Sequence, residues 1–147
     1  MKQKRHITGF YIETLLLIIV FVSIILVITN IFGMARVSSA RANHLTTAVA
    51  LAQNTAEAAA ASDSLDETAA LLTENGNTEL NSDGTGLTAR YNSDLTPAAD
   101  GIYRVDLTWT EEDALADCVV SVFYAEEEEP VYSIHTAVYV KEEGVRE

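Results

Sequence analysis

The chain has 147 residues, 48% of them hydrophobic, and carries 22 acidic against nine basic residues for a net charge of −13. That balance excludes a nucleic-acid binder, whose contacts with phosphate need a basic stripe. A single cysteine excludes an internal disulfide framework and any cysteine-rich zinc site, and the histidines at 6, 44 and 135 show no ligand spacing.

The apolar residues are concentrated near the start. Residues 15–28 read LLLIIVFVSIILVI, in which 13 of 14 are Leu, Ile, Val or Phe. The wider stretch from Phe10 to Phe32 contains one formal charge, Glu13. As a helix it would reach about 34 Å, enough for a hydrocarbon layer of ~30 Å. A secretory signal has an apolar core of roughly 7–15 residues followed by a small-residue cleavage site. Here the run is longer and passes without a turn signal into helical sequence, so it reads as a transmembrane helix over 10–32. Lys2, Lys4 and Arg5 precede it and Arg36 and Arg41 follow it. The positive-inside rule then places the basic segment 1–9 in the cytoplasm and the remainder outside. Residues 63–147 hold 20 acids and four bases, so the external part is strongly acidic.

Beyond Phe32 the sequence GMARVSSARANHLTTAVALAQNTAEAAAAS has no proline and is rich in alanine. Leu45, Val49, Ala52, Ala56 and Ala59 recur at three- and four-residue intervals, predicting an amphipathic continuation of the helix over 33–62. Gly33 is its weak point, costing up to ~1 kcal/mol relative to alanine. Ser62-Asp63-Ser64 interrupts the pattern, and Asp63 or Ser64 can cap a second short helix, Leu65 to Thr73, which Asn75-Gly76 ends.

From there the period changes to two. Leu87, Ala89 and Tyr91 alternate, as do Tyr103, Val105, Leu107 and Trp109. Two more runs cover Cys118–Ala125 and Val131–Val140, where Tyr132, Ile134, Thr136, Val138 and Val140 share a face. Turn signals lie at Asp83-Gly84, from Pro97 to Gly101, from Glu111 to Asp113, and from Glu126 to Pro130. The expected fold is α+β: a long N-terminal helix whose amphipathic half packs on a small antiparallel sheet of about four strands. A head of this size, 63–147, buries little by itself, so residues 40–61 should complete its core.

Clustered residues offer little chemistry. Glu126–Glu129 has the carboxylate density that calcium favours, yet it reads as a solvated hairpin tip before Pro130. Asn81-Ser82-Asp83-Gly84 has part of a calcium-loop pattern, but Arg90 stands where the closing acid would fall if Glu79 opened the loop, so a turn is expected. Cys118 reads as a small buried residue, Trp109 as core, and His135 lacks a nucleophile or paired acid. No cofactor and no enzymatic activity are expected.

A short basic leader, then Gly9-Phe10, then Glu13 at the start of a span that becomes a long helix under a small antiparallel sheet: this resembles the type IV pilin and type II secretion pseudopilin superfamily. The segment LAQNTAEAAAAS at 51–62 is also similar to the corresponding stretch of some members. The resemblance implies cleavage by a prepilin-type peptidase between Gly9 and Phe10, which makes Glu13 the fourth residue of the mature chain. Members usually carry that glutamate fifth, a count that cleavage between Thr8 and Gly9 would restore. It further implies a structural subunit, held in the membrane and assembled with other pilin-like subunits by pilus or secretion machinery, and the strongly acidic head and the offset leader point to a minor one. Glu13 would then pair with a neighbour's N-terminal amine. The other class of function open to this sequence is an uncleaved, single-pass accessory or binding protein with an extracytoplasmic head.

Overall fold

The computed structural model describes residues 3–112 and 114–140, with side chains from Thr8 onward. It contains a helix α1 (Gln3–Ala60), a second helix α2 (Leu65–Leu72), and five strands: β1 (Thr78–Leu80), β2 (Gly86–Tyr91), β3 (Tyr103–Glu112), β4 (Leu115–Tyr124) and β5 (Tyr132–Tyr139). Two compact units divide the chain, residues 1–41 and residues 42–147. The boundary falls inside the shaft and not at its end, because the helix from Ala42 onward shares a core with the sheet.

In the first unit the described side chains of α1 are all exposed, Phe10, Phe21, Leu26 and Phe32 among them. This is one helix long and apolar enough to cross a membrane. Three of its hydroxyls are satisfied locally. Thr14, Ser23 and Thr29 each donate to the carbonyl four residues earlier, on Phe10, Ile19 and Ile25, at 2.8–2.9 Å. An apolar medium supplies no partners, so this internal bonding is the arrangement a lipid-facing helix requires.

The second unit is an α+β arrangement in which the end of α1 packs on an antiparallel meander of order β1-β2-β3-β4-β5. The inner face carries Leu87, Ala89 and Tyr91 from β2, Tyr103, Val105, Leu107 and Trp109 from β3, Ala116, Cys118, Val120 and Val122 from β4, and Val138 from β5, all buried. The alternation read from the sequence for β2, β3 and β5 therefore matches the inner face, while β4 begins at Leu115, three residues before the run expected from Cys118. A fifth strand is added: β1 is only three residues long, too short to show a period, and is held by pairing with β2 from Thr78↔Ala89 to Leu80↔Leu87. Of the turn expected at Glu111–Asp113, Asp113 lies outside the described residues. Glu111 and Glu112 remain in β3 opposite Ala116 and Leu115, and Glu111 accepts a 2.9 Å bond from the Trp109 indole N–H.

The helix stripe differs in phase. The buried residues of α1 are Ala48, Leu51, Ala52, Thr55 and Ala59, whereas Leu45 remains 45% exposed and Val49 and Ala56 are half-buried. Thr55 can enter the core because its hydroxyl donates to the Leu51 carbonyl at 2.9 Å, leaving a methyl group for the sheet. Small residues along this face let helix and sheet approach closely, so the choice of face follows fit more than hydrophobicity. Helix α2 begins where expected. The Ser64 hydroxyl accepts from the Glu67 N–H at 3.3 Å, and the Glu67 carboxylate accepts from the Asp63 N–H at 2.9 Å. It ends one residue earlier than expected, at Leu72, before Asn75 and Gly76 turn the chain at positive φ of 55° and 70°. Gly101, just ahead of β3, is required by a close approach: a Cβ there would lie 2.5 Å from the Tyr91 backbone.

The corrected stripe has a direct test in residues 42–147 produced without the span. Leu51→Ala should lower the unfolding free energy in urea by about 2–4 kcal/mol, the usual cost of truncating a buried leucine. Leu45→Ala should change it by less than about 0.5 kcal/mol. Equal effects would mean that the helix docks through the face containing Leu45.

Candidate functional site

The residues singled out for processing and assembly lie together in the first turns of α1. Gly9 and Glu13 are one turn apart on the same side of the helix, with Phe10 between them and two-thirds exposed. A Cβ at Gly9 would meet nothing within 4 Å, so the site is sterically open. Phe10 and Tyr11 meet edge to face at 6.3 Å, and the Phe10 carbonyl is held by the Thr14 hydroxyl. The Gly9–Phe10 and Thr8–Gly9 bonds are both inside regular helix. A peptidase that takes its substrate backbone extended must unwind this turn first, and glycine lowers the cost by ~1 kcal/mol relative to alanine. Among the described residues Glu13 makes no ion pair, the single salt bridge being Arg104–Asp106 at 3.1 Å.

In the head the fold brings together a group that sequence spacing does not show. His44 of α1 stacks on Tyr124 at 3.9 Å between ring centroids, and its Nδ1 lies 2.7 Å from the Tyr103 hydroxyl. Tyr103 and Tyr124 are neighbours across β3 and β4, with rings 5.2 Å apart. Burial pushes the Tyr103 phenol up, as does Tyr124, while a hydrogen bond with Thr47 opposes the shift. The signal was present in the sequence: His44 stands one helical turn before Ala48 on the true buried stripe. A stripe drawn through Leu45 leaves His44 off the packed face. The group ties helix to sheet.

The outer face of the sheet holds a second polar group. Arg104 bonds Asp106, which also accepts from the Thr88 hydroxyl at 2.9 Å, and the guanidinium lies 4.3 Å over the Phe123 ring. Arg90 and Arg104 are direct cross-strand partners. The serines 121 and 133 bond across β4 and β5 at 2.9 Å.

The remaining sequence candidates have structural explanations. Cys118 is fully buried, and burial, with Asp117 adding, pushes its thiol from 9.0 up to about 11. That environment suppresses the thiolate a nucleophile needs. Asn81 to Gly84 form a turn in which the Gly84 N–H donates to the Asn81 carbonyl and the Thr85 N–H to the Asp83 carboxylate. These Thr85 bonds hold Asp83 below the usual carboxylate range. Glu126–Glu129 are exposed in the loop between β4 and β5. His135 is exposed on β5. Among the described residues no three His, Cys, Asp or Glu side chains converge on a metal position.

No family model, characterised protein or solved structure matches the chain.

The Cys118 thiol and the Tyr103 phenol both have folded pKa values above their unfolded ones. Each contributes stability in full below its unfolded value and loses it as pH rises through the folded value. Unfolding of residues 42–147 followed from pH 8 to 11.5 should therefore show stability falling from about pH 9 upward. Cys118→Ala should flatten the part of that fall between 9 and about 11. A decline of unchanged size in the alanine variant would assign it elsewhere.

Proposed function

We propose that the chain is a pilin-like or pseudopilin-like structural subunit, a minor one, of a type IV pilus or type II secretion-type filament. The observation that carries this reading is a combination. Gly9-Phe10 and a lone acid, Glu13, open an apolar helix, and the same helix ends as the missing layer of a small antiparallel meander. On this reading the N-terminus is cytoplasmic, the acidic head is extracytoplasmic, and the membrane is a reservoir from which subunits pass into a cell-surface filament. The partners are a prepilin-type peptidase, other pilin-like subunits and their assembly machinery, and no catalysis is required of the chain itself.

The physics of Glu13 supports the assembly role. A carboxylate within a bilayer costs about 2.5–3.5 kcal/mol at helix centre and less near the interface. A neighbour's free amine offsets that cost and sets the axial stagger between helices. Polymerisation then needs no bonds beyond helix packing and one ion pair per subunit.

A second reading is an uncleaved anchor carrying an accessory or binding head. It is favoured by the position of Glu13, fourth after the Gly9–Phe10 bond, and by the enclosure of that bond within a helical turn.

Two measurements separate these readings. The mass of the N-terminal peptide from purified membranes should begin at Phe10, or at Gly9 if the earlier bond is cut, and Gly9→Leu should leave the full-length chain accumulating. Glu13→Leu should insert as well as the parent, since it removes a polar group from an apolar run. Incorporation into sheared surface fibres should nevertheless fall at least tenfold, because an unpaired buried charge costs about 3–5 kcal/mol. An intact leader, with equal behaviour of the Glu13→Leu chain, would establish the anchor.

A further inference from the structure

The two edges of the sheet are very different. At one side β1 is three residues long, carries Glu79 and adjoins α2. At the other, β5 runs eight residues, YSIHTAVY, and is the one strand without a formal charge or proline. Among the described residues nothing pairs with its outer side. Folded proteins guard such edges with charge, proline, bulges or short length. Here a bulge marks only the start, where both Val131 and Tyr132 address Val122.

Hydrogen-bond alternation identifies the open groups. The Val140 N–H donates to the Ala114 carbonyl at 3.1 Å, and Ala125 donates to Ile102 at 2.7 Å on the far side of β4. Even-numbered residues of β5 therefore face β4, and Ser133, His135, Ala137 and Tyr139 turn their N–H and C=O groups outward. The side chains along this edge are half finished. Tyr132, Ile134 and Thr136 are half-buried on the inner face, while Tyr139 is 80% exposed on the outer face beside Leu115.

A second copy fits poorly. Antiparallel pairing of β5 with itself places a two-fold axis normal to the sheet, which turns the partner's shaft helix end for end. On the membrane reading both shafts are entered from one bilayer, at their Ala42 ends, and reversed shafts put those ends on opposite sides. The acidic heads also repel each other. The same charge attracts a basic partner: Asp117 is exposed at the register of Ala137, and Glu126–Glu129 are exposed where β5 begins.

We propose that β5 is a docking edge for an extended, basic segment of another protein, added as a sixth strand with apolar residues toward Tyr132 and Ile134 and lysine or arginine toward Asp117 and Glu126–Glu129. Backbone bonds supply the binding and alternate side chains the selectivity. The inference applies equally to a filament subunit and to an anchored accessory protein, since it needs only the head and one membrane.

The test uses the full chain in detergent micelles and amide hydrogen exchange read residue by residue. The probe is a blocked nine-residue peptide of alternating valine and lysine. Exchange at Ser133, His135, Ala137 and Tyr139 should slow at least tenfold, with β1 unaffected. The same peptide with every backbone amide methylated keeps its charge but cannot pair, and should give no protection. Ala137→Pro removes one outward N–H without touching the ladder to β4, and should abolish the effect of the unmodified peptide. Equal protection by the methylated peptide would show charge attraction only and overturn the proposal. So would absence of protection, or protection that rises with protein concentration when no peptide is present.

Discussion

The fold of the head depends on one contact, the seating of Ala48, Leu51, Ala52, Thr55 and Ala59 on the inner face of the meander. An antiparallel sheet with an apolar face must cover it, and among the described residues after Ser62 the one helix is the eight-residue α2. The cover comes instead from a helix that starts before the apolar run and continues past it. The sheet is thus covered by the far end of the same helix that carries the apolar run. His44 and Tyr103 add a polar fastening at the start of that contact, worth about 1 kcal/mol for a neutral hydrogen bond.

Much of this is legible in residues alone. The two-residue period of β2 to β5 has one buried face, and burial on one face is what makes alternation visible. The end of α2 and the turns are legible through Asn75-Gly76 and Asp83-Gly84, where positive φ demands glycine or asparagine. The phase of the shaft is not. Alanine is so frequent between 40 and 61 that several stripes pass through it, and Leu45 and Val49 draw the eye away from the face containing Thr55. Only the shape of the sheet selects among them. Strand β1 is hidden for another reason: three residues have no period, and their pairing is decided by β2.

The N-terminal elements show a different kind of legibility. Length and apolarity define a helix that can cross a bilayer, and α1 is such a helix, with the hydroxyls of Thr14, Ser23 and Thr29 turned back on carbonyls four residues earlier. What the span does beyond that is carried by Gly9, Phe10 and Glu13, whose meaning depends on other molecules. Among the described residues Glu13 has no ion-pair partner. On the filament reading proposed above, the amine of an identical neighbour would offset the cost of that carboxylate in a bilayer.

Charge distribution constrains every association open to this protein. Twenty acids in residues 63–147 make contact between heads unfavourable at low ionic strength, with a reach of about 10 Å at 0.1 M salt. Apolar contact between spans has no such penalty. On the filament reading proposed above, cohesion would therefore come from the helices rather than from contacts between heads. The uncharged β5 edge stands out against that background. Repulsion protects the rest of the head from self-association, and on β5, with no charge of its own, it leaves exposed backbone that a like-charged copy is discouraged from reaching and a basic segment is drawn toward.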